Sequence, residues 1–382
     1  MSVTAARGFR AAGIAAGIKQ NGSRDLALVV NDGPGGAAAG VFTANRVQAA
    51  PVQWSRRILA DGTVRAVVLN SGGANACTGP QGLADTRATA ERTAGRLGLD
   101  VSQVAVCSTG LIGVPLPMDR LLAGVDDAAG RLSVDGGEDA ARAVMTTDTV
   151  HKTAAVTKDG WTVGGMAKGA GMLAPGLATM LVVLTTDADV GARALEDALR
   201  AATRVTFDRV DSDGCMSTND TVLLASGASG VAPEYAGFAE AVHAVCADLA
   251  RQLVGDAEGA SKEIRVEVVG AASEDDAVEV GRSVARNNLL KCAVHGEDPN
   301  WGRVLSALGT TSAAFAPDRL SVAINDVWVC KDGSVGEDRA LVDMTGREVR
   351  ITVDLAEGAD SAVVWTNDLT ADYVHENSEY SS

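Results

Sequence analysis

Residues 168–180 read KGAGMLAPGLATM and run directly into the apolar segment LVVL (181–184). The stretch holds Gly169, Gly171 and Gly176, one proline (Pro175), no acidic residue and a single hydroxyl, Thr179. Glycine opens backbone angles closed to other residues and proline fixes one more, so such a loop is able to hold a peptide carbonyl against a neighbouring hydroxyl. In that geometry Thr179 Oγ attacks the carbonyl of Ala178, the amide shifts to an ester, and water then cuts the chain. The new terminus carries a free α-amine beside its own hydroxyl. An amine with an ordinary pKa of about 7.7–8.0 serves as the base for that nucleophile. A plain loop joining a strand accounts for the same residues, so the stretch alone leaves both readings open.

The surroundings are those of an α/β protein with layered sheets. Strand-like runs are read at 26–30, 37–45, 64–70, 103–110, 161–165, 179–186 and 220–227, and further on at 263–270, 319–325, 348–355 and 361–368. Several are continuously apolar, as strands covered on both faces are. Between them Phe238, Val242, Val245, Leu249 and Leu253 recur at helical spacing and lay one apolar stripe along a helix. Residues 82–98 and 191–204 read as helices too, and Ser273 with Asp276 resembles a capping box opening a helix to about Arg286. The order is not a regular βαβ repeat, which argues against a Rossmann sheet.

Composition narrows the partners. The 382 residues carry a formal net charge of −16, which repels phosphate backbones, so nucleic acid is not expected. The six cysteines are scattered without a CxxC pair and read as reduced core thiols of a cytoplasmic protein, not as a zinc site or disulfide frame. The N-terminal apolar run is short, glycine-rich and followed by lysine, which argues against export. No run approaches 18 apolar residues, so no membrane partner is expected.

Other segments are each open to a plain reading. NSGGANACTGPQG (70–82) lacks both phosphate-loop spacings and is a glycine-rich turn or part of a site wall. CSTGLIG (107–113) ends a strand; its small residues leave backbone N–H groups accessible and Thr109 adds a hydroxyl, so it is a simple turn or an oxyanion hole. MTTDT (145–149) closes a helix and serves as turn chemistry or as a substrate contact. SDGCMSTNDT (212–221) fails the EF-hand pattern and reads as a hydrogen-bonded loop. Glu258 in DAEGASK (256–262) is a solvated helix end or a site residue. VHGEDPNWGR (294–303) carries a lone His295, read as structural, and a turn leading into a helix. The four histidines are far apart, and no metal site or His-based triad is expected.

Taken together, GVFTAN, NSGGANACTG, CSTGLIG, MTTDT, GGMAKGAGMLAPGLATML, FDRVDSDGCMSTNDT, DAEGASK, KCAVHGEDPNWGR and the terminal ENSEYSS cover nearly the whole chain. In these segments the chain resembles the ornithine acetyltransferase (glutamate N-acetyltransferase) family of arginine biosynthesis. The resemblance implies autocatalytic cleavage between Ala178 and Thr179, leaving an α chain 1–178 and a β chain 179–382 that stay one folded unit, usually in an α₂β₂ assembly. It implies a ping-pong reaction without a cofactor. Thr179 takes acetyl from N2-acetylornithine, releases ornithine, and passes the acetyl to glutamate to give N-acetylglutamate. Some family members also accept acetyl-CoA as donor.

The residue roles follow from the same likeness. Thr179 matches the nucleophile, and Thr109 and Gly110 the oxyanion-hole pair. Lys168, Thr146, Glu258 and Asn377 match substrate contacts. The final residue is often threonine in the family; here it is Ser382, which keeps the hydroxyl. The implied fold is the family's layered α-β-β-α sandwich with a smaller C-terminal α/β lobe, shared with self-cleaving aminopeptidases. The competing reading is a self-cleaving amidase or aminopeptidase that hydrolyses instead of transferring. Such relatives generally use serine, and Thr179 counts against it.

Overall fold

The computed structural model describes residues 2–175 and 180–379. These residues form two compact units, one of residues 2–175, 180–208 and 215–256, the other of 209–214 and 257–379.

The first unit runs β1 (Phe9–Ile14), β2 (Leu26–Asn31), β3 (Ala38–Phe42), α1 (Ala50–Ile58), β4 (Ala66–Asn70), α2 (Gly79–Leu97), β5 (Val104–Ser108), α3 (Met118–Gly130) and α4 (Gly137–Ala143). It continues with β6 (Lys152–Lys158), β7 (Trp161–Lys168), β8 (Leu181–Ala188), α5 (Ala192–Val205), β9 (Thr221–Val231) and α6 (Tyr235–Gly255). One sheet has the order β1-β2-β4-β5, the other β3-β9-β8-β7-β6. Their inner faces share a core: Phe9, Val29 and Leu69 of the first sheet pack in the same cluster as Met166, Leu181, Val183 and Leu223 of the second. Each fully buried Val or Leu in such a core is worth about 1.5–3 kcal/mol. Helices cover the outer faces, α2 and α3 on the first sheet, α5 and α6 on the second. The result is the expected α-β-β-α layering.

The apolar stripe read at 238–253 is the buried face of α6. That helix approaches the sheet closely enough that a Cβ on Gly165 of β7 would meet Leu249 Cδ1 at 3.1 Å and Val245 Cγ1 at 3.2 Å. Phe238 of the same helix lies 5.9 Å, centroid to centroid, from Trp161. β1 was not legible. Its FRAAGI carries little β-propensity, and its strand character comes from six-residue antiparallel pairing with β2.

The second unit runs β10 (Glu263–Ala271), α7 (Glu274–Ala285), α8 (Asn288–His295), α9 (Trp301–Leu308), β11 (Ser321–Ile324), β12 (Val327–Lys331), β13 (Ser334–Val335), β14 (Glu348–Asp354), β15 (Asp360–Asn367) and α10 (Ala371–Glu379). Its sheet has the order β13-β12-β11-β14-β10-β15. Here the strands alternate: Ile264, Val266 and Val268 face the helix-covered core, while Glu263, Arg265 and Glu267 face away and Arg265 pairs with Glu267 at 2.6 Å. Ser273 Oγ caps α7 by accepting from the Asp276 N–H at 3.1 Å.

The cysteine expectation holds for half of the set. Cys107, Cys246 and Cys330 are buried, and burial pushes the Cys107 thiol up to about 12. Cys77, Cys215 and Cys292 are exposed and are not core thiols: the first two lie on surface loops and Cys292 on the outward face of α8. No described helix is long and apolar enough to cross a membrane.

Candidate active site

In the first unit the site grows from the C-terminal ends of two parallel strands. β4 ends at Asn70 and β5 at Ser108, with Asn70 Nδ2 donating to Ser108 Oγ at 2.6 Å. The turns that follow, read separately in the sequence, lie side by side: Gly73 N donates to Thr109 O at 3.0 Å and Ala74 N to Leu111 O at 2.9 Å. Gly110 has a φ of 127°, and a Cβ there would come 2.7 Å from Gly73 N, so only glycine fits.

This packing refines the oxyanion reading. The Thr109 N–H is not accessible, because it donates to Asn70 O at 2.9 Å. What remains is the Thr109 hydroxyl together with the Gly110 N–H, which has no acceptor among the described residues.

Lys168 is the last residue of β7 and is buried, with its Nζ 3.5 Å from Thr109 Oγ1. Beyond it, Gly169 has a φ of 154° and Met172 a φ of 55°. The unusual backbone of this loop thus falls partly on a non-glycine residue, at a cost of about 1–2 kcal/mol; Gly171 is not in the left-handed region. Ala178 and Thr179 lie outside the described residues, as does Ser382.

Asp148, the acid of MTTDT, organises the surroundings. It accepts from Thr146 N at 2.9 Å, Gly169 N at 2.6 Å and Lys152 Nζ at 2.7 Å. Burial pushes its carboxyl up, but the charges of Lys168 and Lys152 and these hydrogen bonds outweigh it and hold the group at about 2. Lys152 also pairs with Asp256 at 2.5 Å. Lys19 Nζ donates to Met145 O at 2.6 Å; burial lowers its pKa, and the Lys168 charge adds to that. Thr146, Lys168 and Thr109 therefore belong to one polar cluster. Sequence reading missed Asp148 and Lys19 as its supports. MTTDT reads as turn chemistry or a substrate contact without singling out Asp148, and Lys19 figures only as the lysine that follows the N-terminal apolar run.

SDGCMSTNDT is a hydrogen-bonded loop, as expected, and no cluster of metal-ligating residues occurs among the described residues. Its Asn219 Nδ2 donates to Ala74 O at 2.6 Å and to Ser108 O at 2.7 Å. Its Asp220 is fully buried, and burial pushes the carboxyl well above the usual range.

In the second unit Glu258 and Asn377 come together, with Asn377 Nδ2 donating to Glu258 Oε2 at 2.9 Å and to Tyr373 O at 3.0 Å. Glu258 and Tyr373 line a cavity of about 370 Å³ that Lys291, Arg286, Asp213 and Asp368 also border. Asp368 fixes the segment after Glu258 by accepting from Ser261 N at 2.9 Å and Lys262 N at 2.8 Å. His295 Nδ1 lies 2.9 Å from Asp368 Oδ2, a supporting role that matches its structural reading.

A buried lysine beside a threonine hydroxyl and a backbone N–H without an acceptor among the described residues, on an α-β-β-α frame, suits an acyl-transfer enzyme. The model of the ArgJ family matches residues 10–382. The chain is 75% identical to the arginine biosynthesis bifunctional protein ArgJ of Streptomyces coelicolor and 64% identical to that of Thermobifida fusca, each over the full length of both chains. A crystal structure of ornithine acetyltransferase from Mycobacterium tuberculosis, complexed with ornithine, is 58% identical, with a TM-score of 0.46 over 47% of this chain and 96% of that one. The chain belongs to the ArgJ family.

Proposed function

We propose that this protein is a glutamate N-acetyltransferase of arginine biosynthesis, moving acetyl from N2-acetylornithine to glutamate through an ester on Thr179. The reading rests above all on the Thr109–Lys168 contact at the mouth of the KGAGMLAPGLATM loop, in a chain of this family. The Thr179 hydroxyl first attacks the Ala178 carbonyl; the amide nitrogen leaves as the free amine with a proton, and water hydrolyses the ester. The α-amine then deprotonates the hydroxyl for attack on acetylornithine. The Thr109 hydroxyl and Gly110 N–H receive the oxyanion at each tetrahedral step. Thr146, Lys168, Glu258, Asn377 and Ser382 contact substrate, and Lys168 suits the α-carboxylate that ornithine and glutamate share. The acetyl ester persists until glutamate arrives because water is kept out.

The same reading gives a cytoplasmic α₂β₂ enzyme of chains 1–178 and 179–382, with acetyl-CoA as a second donor to be assayed beside acetylornithine. β7 and β8, which flank the cut, pair antiparallel from Val163↔Thr186 to Lys168↔Leu181, so the halves stay joined by the sheet. On a denaturing gel the 38.9 kDa chain runs as pieces of about 18 and 21 kDa. Thr179→Ala leaves one full-length band and no turnover. Ornithine release from acetylornithine requires glutamate; equal release without it identifies a hydrolase, and an uncut wild type refutes the reading.

A further inference from the structure

We propose that Asp220 is a positioning residue for the nucleophile, holding the peptide that follows Thr179 through a hydrogen bond from the Met180 N–H to its Oδ1. The inference rests on the function proposed above. The bond is 3.0 Å long, and both residues are buried. The Met180 peptide is held from its other side too, since Thr221 N donates to Met180 O at 3.1 Å. A backbone clamped at both its N–H and its carbonyl has little freedom, and Thr179 is attached directly to it.

The neighbouring residue ties this clamp to the oxyanion turn. Asn219 Nδ2 donates to Ser108 O at 2.7 Å, the carbonyl just before Thr109, and to Ala74 O at 2.6 Å, next to Gly73. Asp220 O accepts from Thr43 N at 3.0 Å, which anchors the same segment to the end of β3. Residues 219–221 thus form a three-residue gauge. One side chain grips the strand end that carries Thr109 and Gly110, and the next grips Met180, the residue joined to Thr179 in the chain. The spacing between nucleophile and oxyanion donors is set here.

The carboxyl is unusual for a purely structural acceptor. Its second oxygen, Oδ2, is buried and has no hydrogen-bond partner among the described residues. Burial pushes the carboxyl well above the usual carboxylate range. An acceptor oxygen at Oδ1 is what the clamp needs, and asparagine supplies the same one.

The test compares wild type, Asp220→Asn and Asp220→Ala for the rate of conversion to two bands, for kcat and KM of the cleaved fraction, and for melting temperature. Asp220→Asn is expected to cleave and turn over within about threefold of wild type. Asp220→Ala is expected to fold yet lose about 10²-fold in both cleavage and kcat, the effect of an ångström-scale misplacement, with KM nearly unchanged. If the alanine variant does not fold, Asp220→Val, which fills the space without an acceptor, replaces it. Wild-type rates in a folded variant without the acceptor overturn the proposal. So does a folded Asp220→Asn that fails to cleave. A wild type that never cleaves overturns the functional reading instead, so the two failures are distinguishable.

Discussion

Replacing Thr109 by alanine removes one hydroxyl from a turn whose backbone is held independently. Thr109 N stays bound to Asn70 O at 2.9 Å and Thr109 O to Gly73 N at 3.0 Å, so the turn keeps its shape. Of the two donors left for an oxyanion, the hydroxyl and the Gly110 N–H, one is lost. Losing one such donor costs about 10²–10³ in rate, or about 2.7–4 kcal/mol of transition-state stabilisation. In the proposed function one turn serves every tetrahedral step, so self-cleavage and acetyl transfer are expected to fall together. KM for acetylornithine shifts little, since the proposed binding contacts lie on other residues. The assay follows conversion to two bands over hours, then ornithine release per cleaved molecule at saturating glutamate, with melting temperature as the control for folding. Thr109→Ser recovers most of both rates. Wild-type rates for both reactions in Thr109→Ala remove Thr109 from the site, and a loss confined to cleavage refutes the shared oxyanion hole.

Gly110→Ala forces a side chain onto a φ of 127° and to within 2.7 Å of Gly73 N, so it lowers melting temperature, by about 1–3 kcal/mol of strain, and abolishes cleavage; an unchanged melting curve contradicts the described packing. Folding lowers the Asp148 pKa from 3.8 to about 2, so its contribution to stability, about 2 kcal/mol at 1.36 kcal/mol per unit, is complete above pH about 4 and is lost as pH falls through about 2. Urea titrations at pH 5 and pH 3 therefore show a smaller acid-induced loss in Asp148→Asn than in wild type, and equal losses refute the assignment. At neutral pH Asp148→Asn leaves Lys152 and Lys168 short of a countercharge and destabilises the fold by about 3–5 kcal/mol, read from the same titrations.

Much of the architecture was legible because apolar runs at strand length and one long helical stripe need only local pattern. β2, β5, β8 and β10 were found this way, and so was α6. β1 and β6 were not, since alanine-rich FRAAGI and polar KTAAVTK become strands only through their partners. The site divides along the same line. Thr109, Gly110 and Lys168 stand in motifs whose glycines and spacing are visible in one dimension. Asp148 draws its importance from Gly169 and Lys152, and Asn219 from Ser108 and Ala74, contacts that span up to 145 positions. No local pattern encodes such a meeting. The exposed Cys77, Cys215 and Cys292 show the converse, a residue type that predicts burial overruled by the surface loop or outward helix face that carries it.

β8 lies between β7 and β9, in a sheet that also takes β3 and β6 from the segment before Thr179. A chain severed after Ala178 therefore leaves one sheet woven from two separate polypeptides. Its first assembly is a unimolecular event, but any later recovery from denaturation requires two molecules to meet. The return of native protein would then slow on dilution, and the precursor is the only form that reaches this architecture unaided by concentration.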